Sequence, residues 1–302
     1  MSEAAGAPVC YRHPGRQTWV RCTRCERPIC PDCMHAAAVG HQCPECVAQG
    51  RRTQRQGRTA FGGGPAGQRG YVTKALLATN ILVMLASVLS AGGGGLLGGG
   101  FAGLGGDVTP LMAWGGVFGR DDSPESIAAH LAGIYHGEYY RLVAAMFLHF
   151  GLLHLGLNMW ALWAFGRYLE AALGPIRYLA LYLLAGLGGN VAAYLFAPGA
   201  LTVGASGAVF GLFGALFIVL RRLGNDTSSV LTVLGINLLF TFAIPQISKA
   251  GHIGGLVVGA LAALALAYAP RRHRTLIQAG ACALLFGLLM VAAAIGTLRL
   301  SG

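Results

Sequence analysis

Seven apolar runs, at about 73–92, 142–166, 176–197, 204–220, 229–247, 251–269 and 276–298, each come close to the roughly 20 residues that a helix needs to cross about 30 Å of hydrocarbon. Backbone N–H and C=O groups must be satisfied within the segment when lipid surrounds it, so runs of this length fold as helices. An all-α polytopic membrane protein is therefore expected. A hydrophobic fraction of 55%, a charged fraction of 11% and a mean hydropathy of +0.59 exclude a soluble domain of 302 residues. The net charge of +11 suggests nucleic acid in a soluble chain, but here the charges sit in short loops beside apolar spans, so no nucleic-acid partner is expected.

Those charges orient the chain. With the N-terminus inside, the inner loops hold Arg167, Arg177, Arg221, Arg222, Arg271, Arg272 and Arg274, whereas the outer ones hold Arg120, Arg141, Lys249 and Arg299. The basic excess favours a cytoplasmic N-terminus in a plasma membrane protein. The polar, Cys-rich start has no apolar core of a secretory signal, which is consistent with that side.

In this orientation the fourth and sixth runs, LTVGASGAVFGLFGALFIVLRR from Leu201 and GHIGGLVVGALAALALAY from Gly251, both descend from the outer face. Ser206 and His252 lie near their outer ends and can meet at one depth. A serine among glycines also serves close helix packing, but an ionisable histidine within a membrane segment is costly and points to function. The second run descends the same way and carries His154 and Asn158, which at i and i+4 share a face. The loop from Gly92 to Tyr140 begins as a Gly-rich tether and ends with Trp114, Phe118, Tyr135, Tyr139 and Tyr140, which suit the membrane interface.

Before the first run, one CxxH and three CxxC pairs fall at Cys10/His13, Cys22/Cys25, Cys30/Cys33 and Cys43/Cys46. Eight such ligands suffice for two tetrahedral structural zinc ions. The pair order suggests interleaving, with Cys10, His13, Cys30 and Cys33 on one ion and Cys22, Cys25, Cys43 and Cys46 on the other. His35 and His41 are spare ligands, and Cys282 is read as a packing residue. The segment resembles a B-box or RING-like cross-braced zinc finger, suited to docking a cytoplasmic protein partner. Arg51, Arg52, Arg55, Arg58 and Arg69 come next among Gly and Gln, which reads as a basic flexible linker beside anionic headgroups. The expected divisions are residues 1–48, the zinc finger; 49–72, the linker; 73–270, a six-helix core; and 271–302, one further helix.

GASGAVFG around Ser206, GHIGGLVVG around His252 and HFGLLHLGLN from His149 to Asn158 resemble the rhomboid intramembrane serine proteases, over about residues 71 to 270. The resemblance implies a six-helix core with the last helix additional. It implies Ser206 as nucleophile, His252 as general base, and His154 and Asn158 as oxyanion donors with the Ser206 N–H. Gly255 and Gly259 would let the sixth helix close on the fourth. Arg141 is similar to the family's loop arginine, with Tyr140 where Trp is frequent, and Phe210 stands where some members stack a tyrosine on the histidine. The implied activity is endopeptidase cleavage near the outer ends of transmembrane helices of membrane proteins, without a catalytic cofactor. The other readings are a non-catalytic rhomboid-like protein that binds membrane helices in quality control, and, more weakly, a transporter.

Overall fold

The apolar runs emerge as helices whose ends are set by local chemistry. The computed structural model describes residues 6–53, 57–64, 67, 69–92, 108–128 and 131–300. It separates into two compact units, Met1–Gln56 and Gly57–Gly302.

In the first unit, β1 (His35–Ala36) and β2 (His41–Gln42) pair antiparallel, and α1 (Pro44–Thr53) comes after them. Its buried apolar cluster consists of six cysteines and Ile29. That is too little apolar surface to hold a segment of this size without a further tie.

The second unit comprises α2 (Tyr71–Ser90), α3 (Pro110–Gly115), α4 (Pro124–Ala128), α5 (Arg141–Ala144), α6 (Leu152–Leu173), α7 (Pro175–Phe196), α8 (Ser206–Leu223), α9 (Ser228–Ala243), α10 (Lys249–Tyr268) and α11 (Arg274–Leu300). Five of these (α2, α7, α8, α10 and α11) are long and apolar enough to cross a bilayer. Arg141–Phe147 and Leu152–Leu173 together have the length and apolar composition of a sixth span, broken or re-entrant at their junction, and the sixteen-residue α9 is shorter. The chain is a multi-pass helical membrane protein.

The second apolar run is not one straight span: its two parts bend by 92°. The corner falls at Gly151, whose φ of 113° a side chain would strain. Gly174, at φ 83°, ends α6, and Pro175 then opens α7. Gly224, at φ 75°, closes α8, and the Ser248 hydroxyl caps α10 by accepting from Gly251 N–H at 3.2 Å. The N-terminus of α2 has no cap of its own. The buried Glu170 of α6 supplies one, accepting from Val72 N–H at 3.0 Å and from Thr73 N–H and hydroxyl at 2.8 and 2.7 Å.

Part of the stretch expected as a flexible basic linker has regular structure. Residues 44–53 are helical, and residues 57–64 fold back so that Phe61 is buried in the membrane unit. Buried Gln278 of α11 donates to the Phe61 and Leu266 carbonyls at 3.2 and 2.6 Å. Arg55 and the Gly-rich stretch over residues 93–107 lie outside the described residues. Over the described residues 108–128 and 131–140 the expected outer loop is built rather than loose. Arg141, fully buried, donates to Glu138 at 2.5 Å and to the carbonyls of Ala113 and Gly116 at 2.6 and 2.9 Å. Trp114 stacks on Tyr140 with ring centres 4.7 Å apart.

α10 packs closely against both α8 and α7 through small residues. A Cβ on Gly255 would lie 2.6 Å from the Gly207 carbonyl carbon, and one on Gly259 would lie 2.5 Å from the Gly211 oxygen. Backbone cannot retreat as a side-chain tip can, so added atoms push the helices apart. Gly259→Ala is expected to cost about 1–3 kcal/mol, read as an earlier midpoint in a detergent denaturation titration. Gly235→Ala, which enters open space within α9, should instead stabilise by up to about 1 kcal/mol through helix propensity.

Candidate active site and metal groups

Ser206 is the first residue of α8 and His252 the fourth of α10, so at a rise of about 1.5 Å per residue both lie within a turn of their helix starts. Ser206 is half-buried and His252 is buried. Phe210, one turn beyond Ser206, stacks on the His252 ring at 4.0 Å and 20°. Glycine pairing between Gly207 and Gly255 makes that approach possible. Among the described residues no hydrogen bond joins Ser206 to His252.

The peptide leading into Ser206 is held from two sides. Gly204 N–H donates to the Ala145 carbonyl at 2.9 Å, and Ala205 N–H donates to His149 Nε2 at 3.4 Å. Val117 and Thr202 exchange two backbone hydrogen bonds, both 2.9 Å, which tie the strand before Gly204 to the segment after α3. Gly204 has φ 132°, and a Cβ there would lie 2.9 Å from His154 Nε2 and 3.6 Å from Ser206 Oγ. The missing side chain thus leaves a small space that the imidazole and the hydroxyl both border. Phe150 N–H donates to His154 Nδ1 at 3.4 Å, which leaves Nε2 as the N–H edge facing that space. Asn158 is buried and donates to the His154 carbonyl at 2.9 Å.

Two contributors have roles that the sequence alone does not suggest. His149 is visible within its motif, but its hold on Ala205 depends on the corner at Gly151. Thr241, fully buried on α9, lies 2.8 Å from His252 Nδ1. Its only sequence signal is a hydroxyl within an apolar run.

In the first unit the donor atoms form two groups, Cys10, His13, Cys30 and Cys33, and Cys22, Cys25, Cys43 and Cys46, each with all atoms within 4.8 Å of one another. Cys25 and Cys43 sulfurs are 3.7 Å apart, and His13 Nδ1 is 3.1, 3.5 and 3.9 Å from the sulfurs of Cys30, Cys33 and Cys10. Ligands at about 2.3 Å from a tetrahedral ion stand about 3.7 Å apart, so both groups fit a metal ion of that size. Burial pushes the Cys22 thiol up, but N–H groups of Cys43, Arg24 and Cys25 outweigh it and lower the thiol to about 6. A lowered thiol favours the thiolate a metal requires, whereas burial and the neighbouring thiols push Cys46 of the same group up to about 12. His35 and His41 lie on the β-hairpin, outside both groups.

The fold and site define a helical membrane protein with a serine, two histidines and an asparagine gathered at one end of its bundle. The Rhomboid domain family matches residues 136–269. YdcA of Bacillus subtilis (strain 168), a rhomboid protein, is 36% identical over 143 residues, 45% of this chain and 72% of its own length. The chain belongs to the rhomboid family. It is also similar to the rhomboid protease GluP of the same organism, 40% identical over 175 residues, which cover 55% of this chain and 32% of GluP. RHOMBOID-like protein 6, mitochondrial, of Arabidopsis thaliana is 40% identical over 129 residues, covering 40% of this chain and 42% of that protein. The matched region thus spans about a third of GluP's own length.

Proposed function

We propose that the chain is an intramembrane serine endopeptidase that cuts transmembrane proteins near the outer ends of their helices. The observation that carries this reading is the shared space at Gly204, bordered by Ser206 Oγ and His154 Nε2, beside a histidine held by Phe210. A serine hydroxyl is a poor nucleophile until a neutral imidazole takes its proton, and His252 is the base for that transfer. Ser206 Oγ attacks the scissile carbonyl carbon, the proton passes to His252 Nε2, and the carbonyl oxygen becomes an oxyanion. The Ser206 N–H, His154 Nε2–H and the Asn158 amide are the donors for that charge. Collapse expels the amine with the proton from His252, and water releases the acyl group by the same steps in reverse order. The missing Ser206–His252 hydrogen bond is consistent with a resting enzyme, in which such contacts tighten only when substrate is bound.

The scissile segment must leave its helix to present a carbonyl, so substrates with small or helix-breaking residues at that level are favoured. The basic excess supports a plasma membrane location with a cytoplasmic N-terminus and a site toward the outer face. The first unit is a zinc finger holding two structural ions, which docks a cytoplasmic partner. Residues 73–270 form the protease core, and the remainder adds a helix.

The test is purified full-length protein in liposomes, given a labelled transmembrane substrate and, separately, a fluorophosphonate probe. Cleavage with probe attached at Ser206 is the expected result. Neither cleavage nor labelling across several substrates would favour the helix-binding reading instead.

A further inference from the structure

Thr241 stands where the orienting member of a catalytic triad would act. It comes from α9, a helix whose only buried residues are Val230 and Thr241. Being two residues from the end of α9, it reaches the same level as the starts of α8 and α10. Its hydroxyl is 2.7 Å from the Asn237 carbonyl oxygen, as donor, and 2.8 Å from His252 Nδ1. A hydroxyl has a single hydrogen and two lone pairs. The carbonyl can only accept, and donation to the i−4 carbonyl is the habit of threonine in helices. With the hydrogen committed there, the oxygen offers lone pairs to His252, and Nδ1 must be the donor.

We infer that Thr241 is a positioning residue for His252: its hydroxyl, anchored on the Asn237 carbonyl, accepts from Nδ1–H and keeps the neutral ring in the tautomer whose Nε2 is free to take the Ser206 proton. This rests on the protease reading for its consequence, although the tautomer itself does not. The same contact supports the imidazolium formed during attack, since the Nδ1–H then bears more positive charge and the carbonyl dipole behind Thr241 opposes it. Phe210 fixes the plane of the ring and Thr241 fixes its rotation within that plane. The bland role, a hydroxyl that merely satisfies itself on its own helix, accounts for the Asn237 bond and leaves the His252 contact unexplained.

The test is nitrogen NMR of full-length protein labelled with 15N-histidine in nanodiscs, the His252 signals being those absent from His252→Ala, combined with cleavage kinetics. Wild type should show a protonated Nδ1 and an unprotonated Nε2. Thr241→Val keeps the shape and removes the acceptor. It should shift His252 toward the other tautomer and lower kcat roughly 10- to 100-fold at unchanged KM, less than the ~10⁴ lost when a triad aspartate is neutralised. Thr241→Ser should restore both signals. A wild-type ring protonated on Nε2 overturns the inference, as does a Thr241→Val protein with unchanged tautomer and kcat. The wild-type spectrum decides the first point even where the valine variant does not fold. If wild type neither cleaves nor labels, the protease reading falls, and the spectrum still decides what Thr241 holds.

Discussion

Ser206→Ala is expected to lower cleavage of a transmembrane substrate by about 10⁴-fold or more, with the folded protein otherwise unchanged. The two halves of that expectation have separate causes. The attacking oxygen is the atom removed, and no neighbour can replace it: the other side chain at the Gly204 space is the His154 imidazole, whose Nε2 edge is arranged as a donor. Stability should hold because Ser206 is half-buried and its hydroxyl makes no hydrogen bond among the described residues. Alanine is also the better helix former at the start of α8. His252→Ala should lose activity to a similar degree, but it also strips Phe210 and Thr241 of a stacked and hydrogen-bonded partner, so some loss of stability should accompany it. The comparison that matters is therefore cleavage against denaturation midpoint for both variants. A Ser206→Ala protein that still cleaves at wild-type rate removes the nucleophile assignment outright.

What can be read from the sequence differs by the range of the interaction. The common level of Ser206 and His252 is legible because membrane spans impose a ruler: position from the start of an apolar run becomes depth, and alternate runs share a direction. The two candidate metal groups are legible because each chelating pair is separated by only two residues. The 92° corner between Phe147 and Leu152 is not, because the run from Leu142 to Phe165 stays largely apolar through it and only Gly151 marks the place. Phe61 likewise reads as part of a polar linker until Gln278, 217 positions away, and the core cluster of the membrane unit supply a burial site. Thr241 is hidden for a related reason. A single hydroxyl in an apolar helix is ordinary, and its distinction lies in a contact with α10 that no local pattern encodes. Tertiary contacts therefore carry the fine positioning of the site, while periodicity and depth carry its membership.

Removal of metal should unfold the first unit while leaving the membrane unit intact. In the full-length protein, metal analysis is expected to find two zinc ions per chain, one for each ligand group. Replacing Cys22 and Cys25 together with serine should leave one, since that group would keep only Cys43 and Cys46. A structural zinc contributes roughly 10–16 kcal/mol at neutral pH in small zinc modules. Here the apolar core around the cysteines is buried Ile29 with the partly buried Tyr11 and Met34, and single hydrogen bonds such as Thr18 hydroxyl to the Ile29 carbonyl at 2.9 Å net only about 1 kcal/mol each. A metal held by these groups would therefore dominate the folding energy of this unit. A strong chelator should abolish amide-exchange protection over residues 8–46, as measured by mass spectrometry. Protection of α7, α8 and α10 should persist, because all eight ligands lie within the first unit and Glu170, Arg141 and the glycine contacts belong to the second. Retained protection at residues 8–46 after complete metal loss would mean that the cysteines pack this unit as apolar side chains, and that their clustering is a matter of core formation rather than coordination.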